Sequence, residues 1–365
     1  IGEEDSIQDS FREEADQVID AGGNAIIPGF IDPHTHAVFA GDRSDEFIER
    51  LRGKTYQEIL DEGGGILRTV RVTRNASEND LVERLLAHLD RMLRHGTTTV
   101  EIKSGYGLDV ETELKMLRVM EQADEQHPVD IVPTFLGAHA VPDGMETEAY
   151  VDHVIEDQLP AVAEQGIARF CDVFCEEDVF SVSQSRRILE AGMEYGMEPK
   201  IHAEEFTRLG GAQLSADIGA VSADHLLQAN EDDAAALAGA GVVPVLLPGT
   251  AFSLETTYAD PALFQQHGAE VALATDFNPN CHTHSMGFMV ALACNGMRMP
   301  PGTALQAATT GAAAALDLDR RGLLVEGAPA DLCILDTPRW VDVGYSFGTN
   351  SVSRVVKGGD VVHER

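Results

Sequence analysis

The chain has 365 residues, of which 44% are hydrophobic, so it is long enough for one large domain and a small accessory one. Its 61 acidic and 26 basic residues give a net charge of −35, which disfavours nucleic acid and anionic membranes as partners. No apolar run approaches the roughly 20 residues of a membrane-spanning helix, and the acidic first residues do not resemble a signal peptide. We therefore expect a cytoplasmic protein.

Strand-like and helical stretches alternate along most of the chain. The first strand is predicted at about 26–32, and from residue 80 onward seven further strands each follow an amphipathic helix. Ser77 and Gly96 are typical of the two ends of the first of these helices. The seven later strands are predicted at 97–102, 129–135, 168–174, 198–202, 219–223, 242–247 and 270–275.

Eight strand–helix units of this length predict a (β/α)8 TIM barrel. The alternative is a six-stranded doubly wound sheet, but no Gly-rich phosphate loop follows the first strand. Residues 331–336 and 352–363 look like short strands with a Gly-Gly hairpin, and residues 17–19 look like another strand. We expect residues 1–28 and 322–365 to form a small β-sandwich-like domain, with its N-terminal part incomplete, and residues 29–321 to form the TIM-barrel catalytic domain.

Histidines stand at the end of the first predicted strand. His34 and His36 are two residues apart, and such residues point to the same face of a strand, so both imidazoles can converge on one ion. A TIM barrel builds its active site at the C-terminal ends of its strands. His202, His225 and Asp276 end or follow three further predicted strands. Imidazoles together with a carboxylate suit Zn²⁺ or Fe²⁺ with one position left for water.

Seven segments carry motifs that are specific in combination. They are HTHAVFAGDR at 34–43, KSGYGL at 103–108, TFLGAH at 134–139, IHAEE at 201–205, GAVSADH at 219–225, VLLPG at 245–249 and TDFNP at 275–279. Together these motifs resemble the amidohydrolase superfamily and, more narrowly, the imidazolonepropionases. The resemblance runs from about residue 16 to the C-terminus and implies a barrel with a small β domain formed from both chain ends.

The resemblance also implies a reaction. It is the hydrolytic opening of the cyclic amide of 4-imidazolone-5-propanoate to N-formimidoyl-L-glutamate in histidine degradation, with metal-bound hydroxide attacking the ring carbonyl. The implied metal ligands are His34, His36, His202 and Asp276. We expect one Zn²⁺ or Fe²⁺/Fe³⁺ ion per chain, because the fourth strand ends without the lysine that bridges two metals in binuclear amidohydrolases.

Further residues have expected roles in this reaction. Asp276 is expected to pass a proton from the water to the departing ring nitrogen, and His225 to donate to the carbonyl oxygen. Glu205 is expected either to orient or deprotonate the attacking water, or to support a metal ligand from outside. Arg43 offers a two-pronged guanidinium for the propionate of the substrate. The other expected substrate contacts are Tyr56, Tyr106, His139 and Asn278.

Two other functions stay open. Another cyclic amidase, or an aminohydrolase of purines or pyrimidines, shares the metal ligands but does not call for Arg43, Tyr106 and His139 together. A catalytically silent metal-binding scaffold protein is the non-enzymatic alternative, and it predicts gaps in the site that the sequence does not show. A second His-x-His motif, His282 to His284, departs from the family pattern and offers a second place for a metal. We expect a homodimer with a small-molecule substrate.

The excess of acidic residues indicates a surface that stays hydrated at high salt, as in a halophilic protein. At low ionic strength the Debye length grows, so like charges repel one another over longer distances. We therefore predict a higher melting temperature in molar salt than in dilute buffer, measured by differential scanning calorimetry. A melting temperature that is the same in both conditions contradicts this interpretation.

Overall fold

An eight-stranded parallel sheet forms the centre of the part of the chain that the computed structural model describes, namely residue 15 and residues 17–54, 58–59 and 62–365. Each strand of this sheet is hydrogen-bonded to the next one along the sequence. After a short strand β1 (Ile26–Pro28), its members are β2 (Phe30–Asp32), β3 (Thr97–Lys103), β4 (Asp130–Ala138), β5 (Phe170–Cys175), β6 (Glu198–Ala203), β7 (Ser222–His225), β8 (Val243–Leu246) and β9 (Ala272–Leu273).

The first and last strands of this sheet meet just beyond their C-terminal ends. Thr35 pairs with Phe277 in a parallel bridge, and the amide of His36 donates to the Phe277 carbonyl at 2.9 Å. The amide of Asp276 donates to the His34 carbonyl at 3.1 Å. The sheet is therefore closed into a barrel, and the predicted TIM-barrel fold is confirmed.

Helices alternate with the barrel strands. The first long helix buries an apolar face, on which Leu85, Leu89 and Met92 recur at helical spacing and are fully buried. The helices are α1 (Ser44–Leu51), α2 (Gly65–Asn75), α3 (Glu78–Arg94), α4 (Val110–Asp124), α5 (Thr147–His153), α6 (Leu159–Gln165), α7 (Val182–Glu194), α8 (Gly211–Ile218), α9 (Glu231–Ala240), α10 (Pro248–Ser253), α11 (Pro261–Gln266), α12 (Met286–Asn295), α13 (Pro301–Ala307), α14 (Thr310–Ala314) and α15 (Asp342–Tyr345), with a π-helical turn (Val154–Gln158) between α5 and α6. Among the described residues, every helix is too short or too polar to cross a lipid bilayer.

A second, antiparallel sheet combines segments from both sides of the barrel sequence. It contains β1 together with β10 (Leu332–Leu335), β11 (Val352–Lys357) and β12 (Asp360–Glu364), in the order β1–β10–β11–β12. Gly358 and Gly359 form the predicted hairpin between β11 and β12, with φ angles of 59° and 98° that other residues disfavour. A small β domain built from both ends of the chain is thus confirmed, and its described strands lie in one sheet, without a second sheet facing it.

The predicted first strand, residues 26–32, is in fact two strands that belong to different sheets. β1 pairs with β10, whereas β2 pairs with β3, and Gly29 stands between them. A Cβ at Gly29 would collide with the side chain of Thr98, so only glycine lets the chain pass this close to β3. The strand expected at 17–19 is not formed. The other predicted strands are confirmed to within three residues at each end.

Candidate metal centre and active site

Three histidines converge at the C-terminal mouth of the barrel. His34 and His36 follow β2, His202 lies near the end of β6, and one ring nitrogen of each lies within 4.8 Å of those of the other two. The Nε2 atoms of His36 and His202 are 3.5 Å apart. Within the described part of the chain, this is the one group of three or more His, Cys, Asp or Glu residues that is tight enough to hold a metal ion.

Asp276, just after β9, approaches the same point across the barrel closure. Its Oδ1 lies 3.6 Å from His34 Nε2 and 3.5 Å from His36 Nε2. The hydroxyl of Thr250 donates to the other oxygen, Oδ2, at 2.5 Å, which leaves Oδ1 turned toward the histidines. Ligand atoms about 2.1 Å from a tetrahedral ion stand roughly 3.4 Å apart, so these separations suit one shared ion. Asp276 is thus a fourth candidate ligand beside the tighter group of three histidines.

The chemistry of these donors suits a cation. His34 Nε2 is buried and has no hydrogen-bond partner among the described residues, as expected of an atom that faces a metal. Burial, together with the charge of Lys103, lowers the pKa of His34 well below its ordinary value. Burial and the nearby imidazole of His139 lower the pKa of His36 in the same way. Both rings are therefore neutral near pH 7, which is the form that binds a metal.

Two carboxylates contact the outer ring nitrogens of His34 and His202. Asp224 Oδ2 lies 2.6 Å from His34 Nδ1, and Asp172 Oδ2 lies 3.1 Å from His202 Nδ1. Such contacts fix the tautomer and the orientation of the ring, so that Nε2 faces the metal. Sequence reasoning missed both aspartates, although Asp172 stands as an acidic residue within the apolar strand β5, which is a sign of a buried pair.

His225 and Glu205 flank the group of three histidines. The ring of His225 lies 5.4 Å from that of His34 and 5.3 Å from that of His202, measured between centroids. Glu205 Oε2 is 3.6 Å from His225 Nε2. Burial and the neighbouring carboxylate of Asp276 raise the pKa of Glu205 well above its ordinary value, while burial lowers that of His225. The structure thus brings these two of the three predicted catalytic residues to the predicted metal ligands, of which the third, Asp276, is one.

The backbone at the mouth of the barrel is strained at two of these residues. His225 has a φ of 79° and Asp276 a φ of 51°, in the left-handed region that non-glycine residues seldom adopt. Such conformations cost on the order of 1–3 kcal/mol each and persist where the surrounding structure imposes them, often at functional sites. Both residues stand where a barrel strand has ended, beside the candidate metal ligands.

Two of the predicted substrate contacts also adjoin the centre. The ring of His139 stacks on that of His36, with centroids 4.8 Å apart and an interplanar angle of 15°. Tyr106 is buried, with its ring 5.3 Å from His139 and 6.0 Å from His36. Burial lowers the pKa of His139 to about 3, so this ring is neutral. Both side chains therefore line the space beside the candidate metal ligands.

The other three predicted substrate contacts are placed differently. Arg43 is buried, and its Nε donates to Glu46 at 2.8 Å. The amide group of Asn278 donates to the Asp276 carbonyl and accepts from two backbone amides further along, so it shapes the loop after β9. Tyr56 lies outside the described residues. Arg43 lines a cavity together with Phe47, Arg50, Ser253, Asn280 and His282.

The second His-x-His motif forms a separate cluster. The rings of His282 and His284 pack against Phe277, and His284 Nε2 lies 3.1 Å from Nδ1 of His88 in α3. The three imidazoles do not form a second group of metal-ligand tightness among the described residues. His88 thus packs its ring against those of Phe277 and His284.

Comparisons with known proteins agree with this geometry. A model of the amidohydrolase family matches residues 25–362. A protein of Haloarcula marismortui named imidazolonepropionase is 62% identical, over 96% of this chain and 84% of that protein. A protein of the same name from Halobacterium salinarum is 63% identical, over 96% and 85%, and one from Symbiobacterium thermophilum is 50% identical, over 99% and 87%. The first two organisms are halophilic, in keeping with the acidic composition of this chain.

Solved structures of low identity share the fold. The 5-methylcytosine deaminase of Klebsiella pneumoniae with bound 5-fluorocytosine has a TM-score of 0.74 at 19% identity, covering 96% of this chain and 90% of that one. The guanine deaminase of E. coli has a TM-score of 0.72 at 16% identity, covering 98% and 88%. The chain belongs to the amidohydrolase family and, within it, to the imidazolonepropionases. The resemblance inferred from its motifs is confirmed.

The site generates a prediction about metal content. We expect the protein, loaded with Zn²⁺ and freed of excess metal, to retain one ion per chain by inductively coupled plasma mass spectrometry. His34→Asn should lose most of this ion, because the buried Nε2 that faces the centre is removed. His88→Asn is the matched control and should keep it, since His88 belongs to the separate cluster. Two ions per chain, one of them lost in His88→Asn, contradict the single centre.

Proposed function

We propose that this protein opens the cyclic amide of 4-imidazolone-5-propanoate with water to give N-formimidoyl-L-glutamate. The observation that carries the proposal is the buried convergence of His34, His36, His202 and Asp276 in a chain 62% identical to a protein named imidazolonepropionase. Zn²⁺ or iron is proposed as the native ion, because imidazole and carboxylate ligands suit both. The homodimer and the cytoplasmic location expected from the sequence stay predictions.

The chemistry requires an activated water and a proton shuttle. A divalent ion bound at such a site lowers the pKa of a coordinated water to about 7 and polarises a carbonyl. In the reaction, the water oxygen bonds to the ring carbonyl carbon, the ring carbon–nitrogen bond breaks, and that nitrogen gains a proton. Asp276 is proposed to carry the proton from the water to the nitrogen, because its Oδ1 lies beside two of the ligand nitrogens.

His225 and Glu205 are proposed to act on the carbonyl oxygen and on the water. A neutral imidazole keeps one N–H, which His225 can donate to the oxygen as negative charge develops there. The outer nitrogen of His202 is already in contact with Asp172. Because that position is taken, the role of Glu205 in orienting the attacking water is favoured over a role in supporting His202.

The substrate is proposed to extend from the metal ligands toward Arg43. His139 and Tyr106 adjoin His36 and are proposed to contact the imidazolone ring. The propionate then requires a cation, and Arg43 lines the cavity formed with residues of α1 and of the loop after β9. Glu46 accepts from Nε of Arg43, which holds the guanidinium in place. Asn278, within the motif at 275–279, and Tyr56, expected from the family resemblance alone, stay proposed substrate contacts.

A substrate panel tests the proposed reaction. The purified protein at molar salt is given freshly prepared 4-imidazolone-5-propanoate, and loss of its ultraviolet absorbance is followed, with hydantoin-propanoate, dihydroorotate and guanine in parallel. We expect turnover of the imidazolone alone, and a fall in kcat of about 10²-fold or more in Asp276→Ala, since a proton carrier and candidate ligand is lost. Turnover of one of the other compounds without turnover of the imidazolone contradicts the proposal.

The same assay tests the carboxylate contact. We expect Arg43→Met to raise KM by about 10- to 100-fold with kcat little changed, because a charge-assisted contact to a group remote from the reacting bond is removed. Arg50→Met is the control, since Arg50 lines the same cavity. An unchanged KM in Arg43→Met overturns the assignment of Arg43 to the propionate. An equal rise of KM in both variants also overturns it, because the effect then comes from the charge of the cavity in general.

A further inference from the structure

A lysine is fully buried in the barrel beneath the candidate metal centre. Lys103, at the end of β3, is completely inaccessible to solvent, a placement that lysine adopts almost only when it is paired. Its Nζ lies 2.7 Å from Asp172 Oδ2, 2.8 Å from Glu101 Oε1 and 3.6 Å from Asp224 Oδ2. All three carboxylates are equally buried, so one ammonium group faces three acidic side chains without competing water.

Two of these three carboxylates are the ones that hold metal-ligand histidines. Asp224 Oδ2, which contacts Lys103, also contacts His34 Nδ1, and Asp172 contacts both Lys103 and His202 Nδ1. The contacts therefore run from one ammonium through two aspartates to two histidines. His34 follows β2 and His202 lies in β6, so the contacts of Lys103 reach candidate ligands on two separate strands.

The surroundings keep Lys103 charged. Burial by itself would lower its pKa, but attraction to Asp172 and Glu101 outweighs burial and raises the pKa above its ordinary value. Glu101 in turn accepts from the hydroxyl of Thr134 and from the amide of Thr35, which fixes the third carboxylate beside Lys103. A positive charge is thus held beside both aspartates, whose other partners are neutral groups, the Val173 amide for Asp172 and the Ser222 hydroxyl for Asp224.

We propose that Lys103 is a positioning residue that sets the affinity of the site for its divalent ion. Its ammonium orients Asp172 and Asp224 so that each accepts the Nδ1–H of its histidine, which leaves both Nε2 atoms facing the ion. Without Lys103, the two aspartates lose their shared partner and can turn away from the rings. This inference rests on the proposed metal site but not on the identity of the substrate.

A second buried lysine provides the matched control. Lys200 in β6 is as inaccessible as Lys103, but its Nζ contacts the carbonyl oxygens of Pro33 and Ala315 and lies over the ring of Phe170. Replacing either lysine with methionine removes one buried charge from the same barrel. Only Lys103 reaches the two aspartates behind the histidines, so a difference between the two variants reports on positioning and not on buried charge in general.

The test measures Zn²⁺ affinity of the metal-free protein by competition with a chromophoric chelator, at fixed pH and in molar salt. We expect Lys103→Met to bind Zn²⁺ about 10- to 100-fold more weakly than the unaltered protein, as is usual when a supporting contact of a ligand is lost. Lys200→Met should change the affinity by less than about 3-fold on the same scale. The visible absorption spectrum of the Co²⁺-loaded protein should also change in Lys103→Met alone, because the ligand geometry is altered.

A double variant covers the case in which Lys103→Met does not fold. Glu101→Gln with Lys103→Met removes one charge of each sign and leaves Asp172 and Asp224 beside their histidines. The Zn²⁺ affinity of the double variant should fall as much as that of Lys103→Met. The affinity of Glu101→Gln alone should fall less. Unchanged affinity in a folded Lys103→Met or double variant overturns the proposal, as does an equal loss in Lys200→Met.

Failure of the proposed function is recognised separately. If the unaltered protein binds Zn²⁺ but does not consume 4-imidazolone-5-propanoate, the proposed reaction is wrong while the role of Lys103 is still decided by the affinities. If the unaltered protein does not bind Zn²⁺ in the competition experiment, both proposals are overturned together.

Discussion

The closure of the barrel between β2 and β9 is the contact on which the rest of the site depends. Thr35 pairs with Phe277 at this seam, and Thr275 donates through its amide and its hydroxyl to the buried carboxylate of Asp32. Because His34 and His36 are two residues apart, the seam turns both rings to the same side. The same pairing brings Asp276 next to them. Two segments that are far apart in the sequence thus supply three of the four candidate ligands, because the hydrogen bonds of the seam hold them side by side.

The barrel interior beneath this seam is unusual in its charge. Apolar side chains ordinarily fill the layers inside a TIM barrel, whereas here Glu101, Lys103, Asp172 and Asp224 are all fully buried. Buried ion pairs seldom stabilise a protein more than apolar packing of the same volume does. Their cost is understandable if they serve the imidazoles above them, since a carboxylate behind a histidine both orients the ring and strengthens it as a ligand.

Much of the fold could be predicted because its signals are local. Ser77 and Gly96 mark the ends of α3 as expected, and the eight barrel strands lie close to their predicted positions. The helix α12 was not predicted. It carries small and apolar residues on nearly all sides, so it lacks the opposed polar and apolar faces by which a surface helix is recognised. The division of residues 26–32 between two sheets depends on a close approach to Thr98, which is distant in the sequence.

The candidate site was predictable to a similar extent. The spacing of His34 and His36 predicts a shared ligand site. The positions of His202, His225 and Asp276 at strand ends predict that a barrel brings them to the same place. The partners behind the histidines were not found, because Lys103, Asp172 and Asp224 lie on alternate strands, β3, β5 and β7, and meet only once the sheet closes into a barrel. For Asp172 the sequence did hold a signal, a charged residue inside the apolar strand β5. The roles assigned to individual residues stay predictions until they are tested.

The central claim is that one ion sits among His34, His36, His202 and Asp276. A crystal of the Zn²⁺-loaded protein, measured on both sides of the zinc absorption edge, locates the metal directly by anomalous scattering. We predict a single strong anomalous peak within bonding distance, about 2.0–2.2 Å, of the three Nε2 atoms and of Asp276 Oδ1. A peak between His88 and His284, or fully loaded protein without a peak at the barrel mouth, contradicts the account.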